Sequence, residues 1–163
     1  MPNWCSNNVT INHDDPAKLA ELVDAYKRGE LLEHCLPTPK DENGELDKDW
    51  YNWRCNNWGT KWDVGGEYAF YDDTPEGLAL SFSSAWSPPI AFYEFMKGQG
   101  FDIRASYFEP GIGFCGDWID GMDNCYDGDW QDFPDHLVDE YNMEEWYEDD
   151  EEEVDIFAEE EEA

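Results

Sequence analysis

Basic residues are scarce in this chain. Nine Lys plus Arg stand against 41 Asp plus Glu, a net charge of −32, and no base lies beyond Arg104. Direct binding to nucleic acid or to an anionic membrane requires cations that neutralise phosphates, so neither is expected. Long apolar runs are also missing. The longest, Ile90 to Tyr93, falls far short of the ~20 residues that cross a bilayer, and the N-terminus lacks the basic-then-apolar pattern of a secretion signal. The five cysteines form no C-x₂₋₄-C pair, which argues against a paired-ligand zinc site and a dense disulfide framework and leaves buried thiols in a reducing compartment. Gly111-Ile112-Gly113 lacks the third glycine and following helix of a dinucleotide loop. His13, His34 and His136 are scattered, with no legible nucleophile–base pairing. No catalytic residue, cofactor or metal ligand is therefore assigned.

One stretch invites a calcium reading and fails it. An EF-hand loop begun at Asp123 places Gly128 at its sixth position, but Cys125 and Pro134 fall where an oxygen ligand and a bidentate Glu belong. Turn chemistry accounts for the Asp-Gly pairs of residues 120–129.

Aromatic residues, by contrast, are plentiful at 17%, and 40% of the chain is hydrophobic, enough for a packed core. Trp4 to His13 alternates as an opening strand. Asp15-Pro16 then reads as an N-cap with proline at the first helical position, and Leu19, Leu22, Val23 and Tyr26 mark one helical face ending at Gly29. Residues 36–66 hold Trp50, Tyr51, Trp53, Trp58 and Trp62 and read as an ordered aromatic insertion. Trp50, Trp53, Trp58, Trp62 and Trp86 could form a base-stacking platform, but that would need a basic groove as well, so core and insertion packing explains these rings better. Strands at Glu67–Tyr71 and Leu78–Trp86, a helix at Ile90–Lys97 started by Ser87-Pro88-Pro89, and a strand at Phe101–Phe108 complete the order strand, helix, strand, strand, helix, strand. That order predicts an α+β fold, a ferredoxin-like split βαβ sandwich. A further hairpin, Gly113–Ile119 with Asp123–Trp130, extends the sheet.

The composition changes after Pro134. Residues 105–163 hold 23 acids and no base, whereas residues 1–104 hold 18 acids and nine bases. The expected division is an α+β domain over 1–133 and an acidic C-terminal helix and tail over 134–163. Asp132 is expected to cap a helix with Leu137, Val138 and Tyr141 inward, running to Trp146. The block Glu148 to Glu153 repels itself and reads as an interaction segment, interrupted by the apolar Val154, Ile156 and Phe157.

Five ordered strings, Pro2-Asn3-Trp4-Cys5-Ser6-Asn7, Leu36-Pro37-Thr38-Pro39, Asn57-Trp58-Gly59-Thr60-Lys61-Trp62, Ala85-Trp86-Ser87-Pro88-Pro89 and Tyr107-Phe108-Glu109-Pro110-Gly111, resemble a phage- and plasmid-borne family of small proteins with a YubB-type ferredoxin-like domain. The likeness covers about residues 2–130. It implies the α+β fold and the company of mobile elements, which carry counter-defence proteins; it brings no catalytic residue. The acidic segment after Pro134 is where the chain departs most from the family's pattern.

Charge suggests the function. Duplex DNA carries about two phosphates per base pair, so the net charge equals that of about 16 bp. The expectation is a non-enzymatic counter-defence protein in the bacterial host cytoplasm: an acidic DNA mimic that occupies the basic DNA-binding cleft of a host restriction, CRISPR, nuclease or recombination protein. Asp117, Asp120, Asp123, Asp127, Asp129 and Asp132 are the candidate phosphate mimics of the hairpin region. Glu144, Glu145, Glu148, Asp149, Asp150, Glu151, Glu152 and Glu153 are those of the C-terminal segment, with Trp146, Tyr147, Ile156 and Phe157 as apolar anchors. The alternative is an acidic housekeeping or virion-associated interaction protein whose charge serves solubility or salt tolerance.

Overall fold

A computed structural model of the chain describes residues 2–148. Alternation along β1 (Trp4–Asn12) buries Cys5, Asn7, Val9 and Ile11 and turns Trp4, Ser6, Asn8 and Thr10 to the opposite face. Asp15 caps α1 (Pro16–Lys27), its Oδ1 accepting from the Ala17 N–H at 3.0 Å. The expected helical face packs inward, with Leu22 and Tyr26 buried and Leu19 and Val23 partly so. Gly29, at φ +74°, ends the turn.

The aromatic insertion contains two short helices, α2 (Leu31–Cys35) and α3 (Trp50–Asn57). Arg54 lies between the rings of Trp50 and Trp58, 5.1 and 4.6 Å from their centroids, and its Nε donates to Thr38 Oγ1. Trp58 is completely buried, with its Nε1–H donated to the Leu36 carbonyl. Packing thus accounts for Trp50, Trp53 and Trp58, while Trp62 and Trp86, expected to pack as well, remain exposed, as does Tyr51.

Strands β2 (Phe70–Thr74), β3 (Gly77–Ala85), β4 (Asp102–Glu109), β5 (Phe114–Ile119) and β6 (Met122–Asp127) join β1 in a six-stranded antiparallel sheet of order β2-β3-β1-β4-β5-β6. β2 begins three residues later than its composition suggests and runs to Thr74, leaving only Pro75 and Glu76 as the turn. Helix α4 (Ile90–Gly98) has no side-chain cap; Ser87 Oγ donates instead to the Gly59 carbonyl at 2.6 Å. On one face, α1 and α4 enclose the main core around Val9, Ile11, Leu80, Ile103 and Trp118.

The other face carries a second, smaller core. Phe108 and Cys115 on the sheet meet Phe133, Leu137 and Met143. Asp132 belongs to a 3₁₀ turn (Trp130–Asp132), so it does not cap α5 (Asp135–Glu140). The helix expected to run unbroken to Trp146 is interrupted. Asn142 adopts φ +49°, a left-handed conformation that Asn tolerates, and residues 143–148 start a new helix that buries Met143.

Candidate functional site

β6 is an edge strand, joined to β5 by the two-residue turn Asp120-Gly121 at φ +52° and +81°. Both residues are left-handed, the geometry that favours Asp-Gly in a tight hairpin. Asp120, Asp123, Asp127, Asp129 and Asp132 are exposed along this edge and the segment that leaves it. Asp123 accepts from the Tyr107 hydroxyl, and Asp129 receives the Gln131 N–H at 3.0 Å. Farther on, Glu144, Glu145 and Glu148 join Asp139 and Asn142 around a depression of about 490 Å³.

Residues 105–148 hold 13 acids, of which only Glu109 and Asp117 are buried, and no Lys or Arg. Among the described residues, carboxylates pair with arginine only at Arg28–Glu30 and Arg54–Glu33, both outside this stretch. None of the 11 exposed carboxylates is ion-paired with a Lys or Arg of the described residues; the nearest recorded cation, Lys97 Nζ, donates to the Asp120 carbonyl at 3.1 Å.

Asp117 does not fit its expected role as a phosphate mimic. It is 8% exposed, one oxygen accepting from Asn124 Nδ2 at 2.9 Å and the other from His136 Nε2 at 3.0 Å. The cause is register: Phe70, Ser81, Asn8, Ser106, Asp117 and Asn124 form one row across all six strands, on the face that α5 crosses. Tyr147 likewise packs rather than projects, stacked on Trp130 at 5.6 Å and 9° and set against Phe108. Trp146 touches the Phe108 edge but stays 52% exposed. Asp149, Asp150, Glu151, Glu152, Glu153, Ile156 and Phe157 lie outside the described residues.

The same row floors an open cleft of about 450 Å³ between the sheet and α5. Ser81 Oγ donates to Asn8 Oδ1 at 2.7 Å, Ser106 Oγ lies 2.9 Å from the Tyr141 hydroxyl, and Arg104 stands exposed one row away. Asp117 orients the His136 imidazole, but no Ser, Thr or Cys is hydrogen-bonded to that ring. The Asp–His pair that the sequence did not reveal is thus a base without a nucleophile beside it. Burial pushes the thiols of Cys5, Cys35 and Cys115 up to about 12, which makes them poor nucleophiles, while Cys55 and Cys125 are exposed, contrary to the expectation of buried thiols. Among the described residues no three His, Cys, Asp or Glu side chains converge as metal ligands, and no helix is long and apolar enough to cross a membrane.

Comparison of the chain with protein-family models, with curated proteins and with solved structures finds no match.

Proposed function

We propose that this chain is a non-enzymatic inhibitor whose acidic face occupies the basic DNA-binding cleft of a host defence or recombination protein. The observation that carries the reading is the run of 11 exposed carboxylates on residues 105–148, a stretch that holds no Lys or Arg. Such a face lowers the free energy of a cation-lined cleft as a phosphate backbone does, and it repels nucleic acid itself. Strand order β2-β3-β1-β4, with α1 and α4 on one face, supports reading the fold as a ferredoxin-like split βαβ sheet extended by β5 and β6. The resemblance to a phage- and plasmid-borne family adds a mobile-element origin, where counter-defence proteins belong.

The test is a capture from bacterial lysate with the tagged chain, eluted by salt and identified by mass spectrometry. A discrete DNA-binding protein, released by salt and displaced by duplex DNA, is the expected result. The variant Asp139→Asn/Glu144→Gln/Glu145→Gln/Glu148→Gln should bind that protein about tenfold or more weakly and with a shallower salt dependence. Recovery of generic basic proteins alone, undisplaced by DNA, would replace mimicry with a solubility role for the charge.

A further inference from the structure

The cleft between the sheet and α5 is lined by charges of both signs that do not meet. Its floor is the row Ser81, Asn8, Ser106 and Asp117, and the next row on the same face runs Ala79, Thr10, Arg104 and Ile119. Both rows share this face because residues two apart along a strand point the same way. Arg104 therefore stands directly across from Thr10 and diagonally from Asp117.

Hydrogen bonds fix the floor and leave Arg104 out. Asp117 directs one oxygen to Asn124 Nδ2 and the other to His136 Nε2. Glu140, on α5, accepts from Asn8 Nδ2 at 3.4 Å, and Ser81 Oγ donates to Asn8 Oδ1 at 2.7 Å, so the Asn8 amide is held at both its oxygen and its nitrogen. Ser106 Oγ lies 2.9 Å from the Tyr141 hydroxyl. Among the described residues, the Arg104 guanidinium and the Thr10 hydroxyl make no side-chain hydrogen bond, and Arg104 enters no ion pair. An arginine that lines a cleft and stays unpaired is unexpected in a chain with 41 acids.

Each sign of charge constrains the occupant. Arg104 offers a planar fork that matches a carboxylate, with the Thr10 hydroxyl beside it as a further donor. Glu140 directs one oxygen to Asn8, which leaves the other for a ligand's donor. A phosphate or a dicarboxylate would meet Glu140 and Asp117 in the same cleft and is repelled by them. A simple amine, or a basic side chain of a partner, would meet Arg104. A molecule with one carboxylate and one ammonium group satisfies both walls and brings no net charge. Ala79 and Ile119, half-buried on either side of Thr10 and Arg104, supply an apolar wall for a short aliphatic side chain. The cleft's volume of about 450 Å³ lies within the range of roughly 300–1,000 Å³ typical of small-molecule sites. We propose that this cleft binds a free α-amino acid with an aliphatic side chain, its carboxylate on Arg104 and Thr10 and its ammonium group on Glu140. The site goes beyond the partner-binding reading, and its test does not depend on that reading.

The experiment titrates the isotope-labelled full chain with three probes at about pH 7, where carboxylates and amines are both charged, and follows the amide chemical shifts. L-leucine carries both groups, isocaproate keeps its carboxylate and side chain without the amine, and isoamylamine keeps the amine and side chain without the carboxylate. L-leucine should bind about tenfold or more tightly than either half-molecule, with shifts around Thr10, Arg104 and Glu140. Arg104→Gln should weaken L-leucine about tenfold and leave it no better than isoamylamine. Glu140→Gln should weaken it as much and leave it no better than isocaproate. Both side chains are exposed, so both variants should melt close to the wild-type temperature. The three-probe comparison on the unaltered chain decides the matter even where a variant fails to fold. No saturable shift with L-leucine, shifts confined to residues outside the cleft, or wild-type affinity in both variants overturns the site. Isocaproate binding as tightly as L-leucine would make Arg104 a simple anion site and overturns the amino-acid assignment.

Discussion

Burial sorts the five thiols into two classes that chemistry can tell apart. Cys5 and Cys115 are enclosed and Cys35 is half-buried; desolvation pushes each up to about 12, with the Glu109 charge adding to Cys5. Only the thiolate attacks a disulfide reagent. At about pH 8, an aromatic disulfide should therefore label two thiols per native chain, Cys55 and Cys125, and the other three only in urea. Five equally fast thiols would contradict the enclosure of Cys5 and Cys115. The same shifts set a sign for stability. The folded state holds these protons above the unfolded thiol pKa of about 8.5, so the contribution is intact below that pH and declines as pH rises toward 12. Tyr26, pushed up to about 12 by burial, acts in the same direction. The urea midpoint should fall steadily between about pH 8.5 and 11.

At the scale of elements, the second core decides how firmly the C-terminal helices belong to the fold. Leu137 is fully buried among Phe108, Cys115, Phe133 and Met143. Leu137→Ala should cost about 2–5 kcal/mol, read as a lowered urea midpoint. A loss under about 0.5 kcal/mol would mean that α5 rests on the sheet without closing it. What the sequence disclosed depended on how local the signal was. Helix α1 was legible because its cap, its first-turn proline, its apolar face and its terminating glycine all lie between Asp15 and Gly29. The start of α2 was not, because the carboxylate that accepts the Leu32 and Glu33 N–H groups is Asp63, some 30 residues away. The break at Asn142 left the periodic apolar face intact in sequence, since it only redirects that face so that Met143 reaches the core. The abundance of acids was plain from composition, but the withdrawal of Asp117 depends on β5–β6 register and on α5 carrying His136 across the sheet. Several strings far apart in sequence likewise become one structure. Asn3, Gly59, Thr60, Trp86 and Gly111 meet at the same end of the sheet, and nothing local in Ala85-Trp86-Ser87 announces a left-handed tryptophan.

For the molecule as a whole, charge opposes folding and, in the proposed function, favours association with a basic partner. All nine Lys and Arg lie at or before Arg104, so the exposed carboxylates of β6 and the C-terminal helices repel one another with no Lys or Arg among them in sequence. Screening shortens the reach of that repulsion from about 30 Å at 0.01 M salt to about 10 Å at 0.1 M. Stability should therefore rise as NaCl increases from about 20 mM to about 500 mM, measured as the melting temperature. Attraction to a basic cleft is screened by the same ions, so affinity for the captured partner should fall over the same range. The opposite signs separate the two accounts of the acidity. Charge kept for solvation predicts the first slope alone, whereas a mimic of the phosphate backbone shows both. Replacing Asp139, Glu144, Glu145 and Glu148 with their amides should raise the melting temperature at low salt and flatten both slopes together, because the same four carboxylates create the repulsion and the attraction. If the amide variant gained stability but kept the partner's full affinity and salt dependence, the binding face would lie elsewhere on the acidic surface.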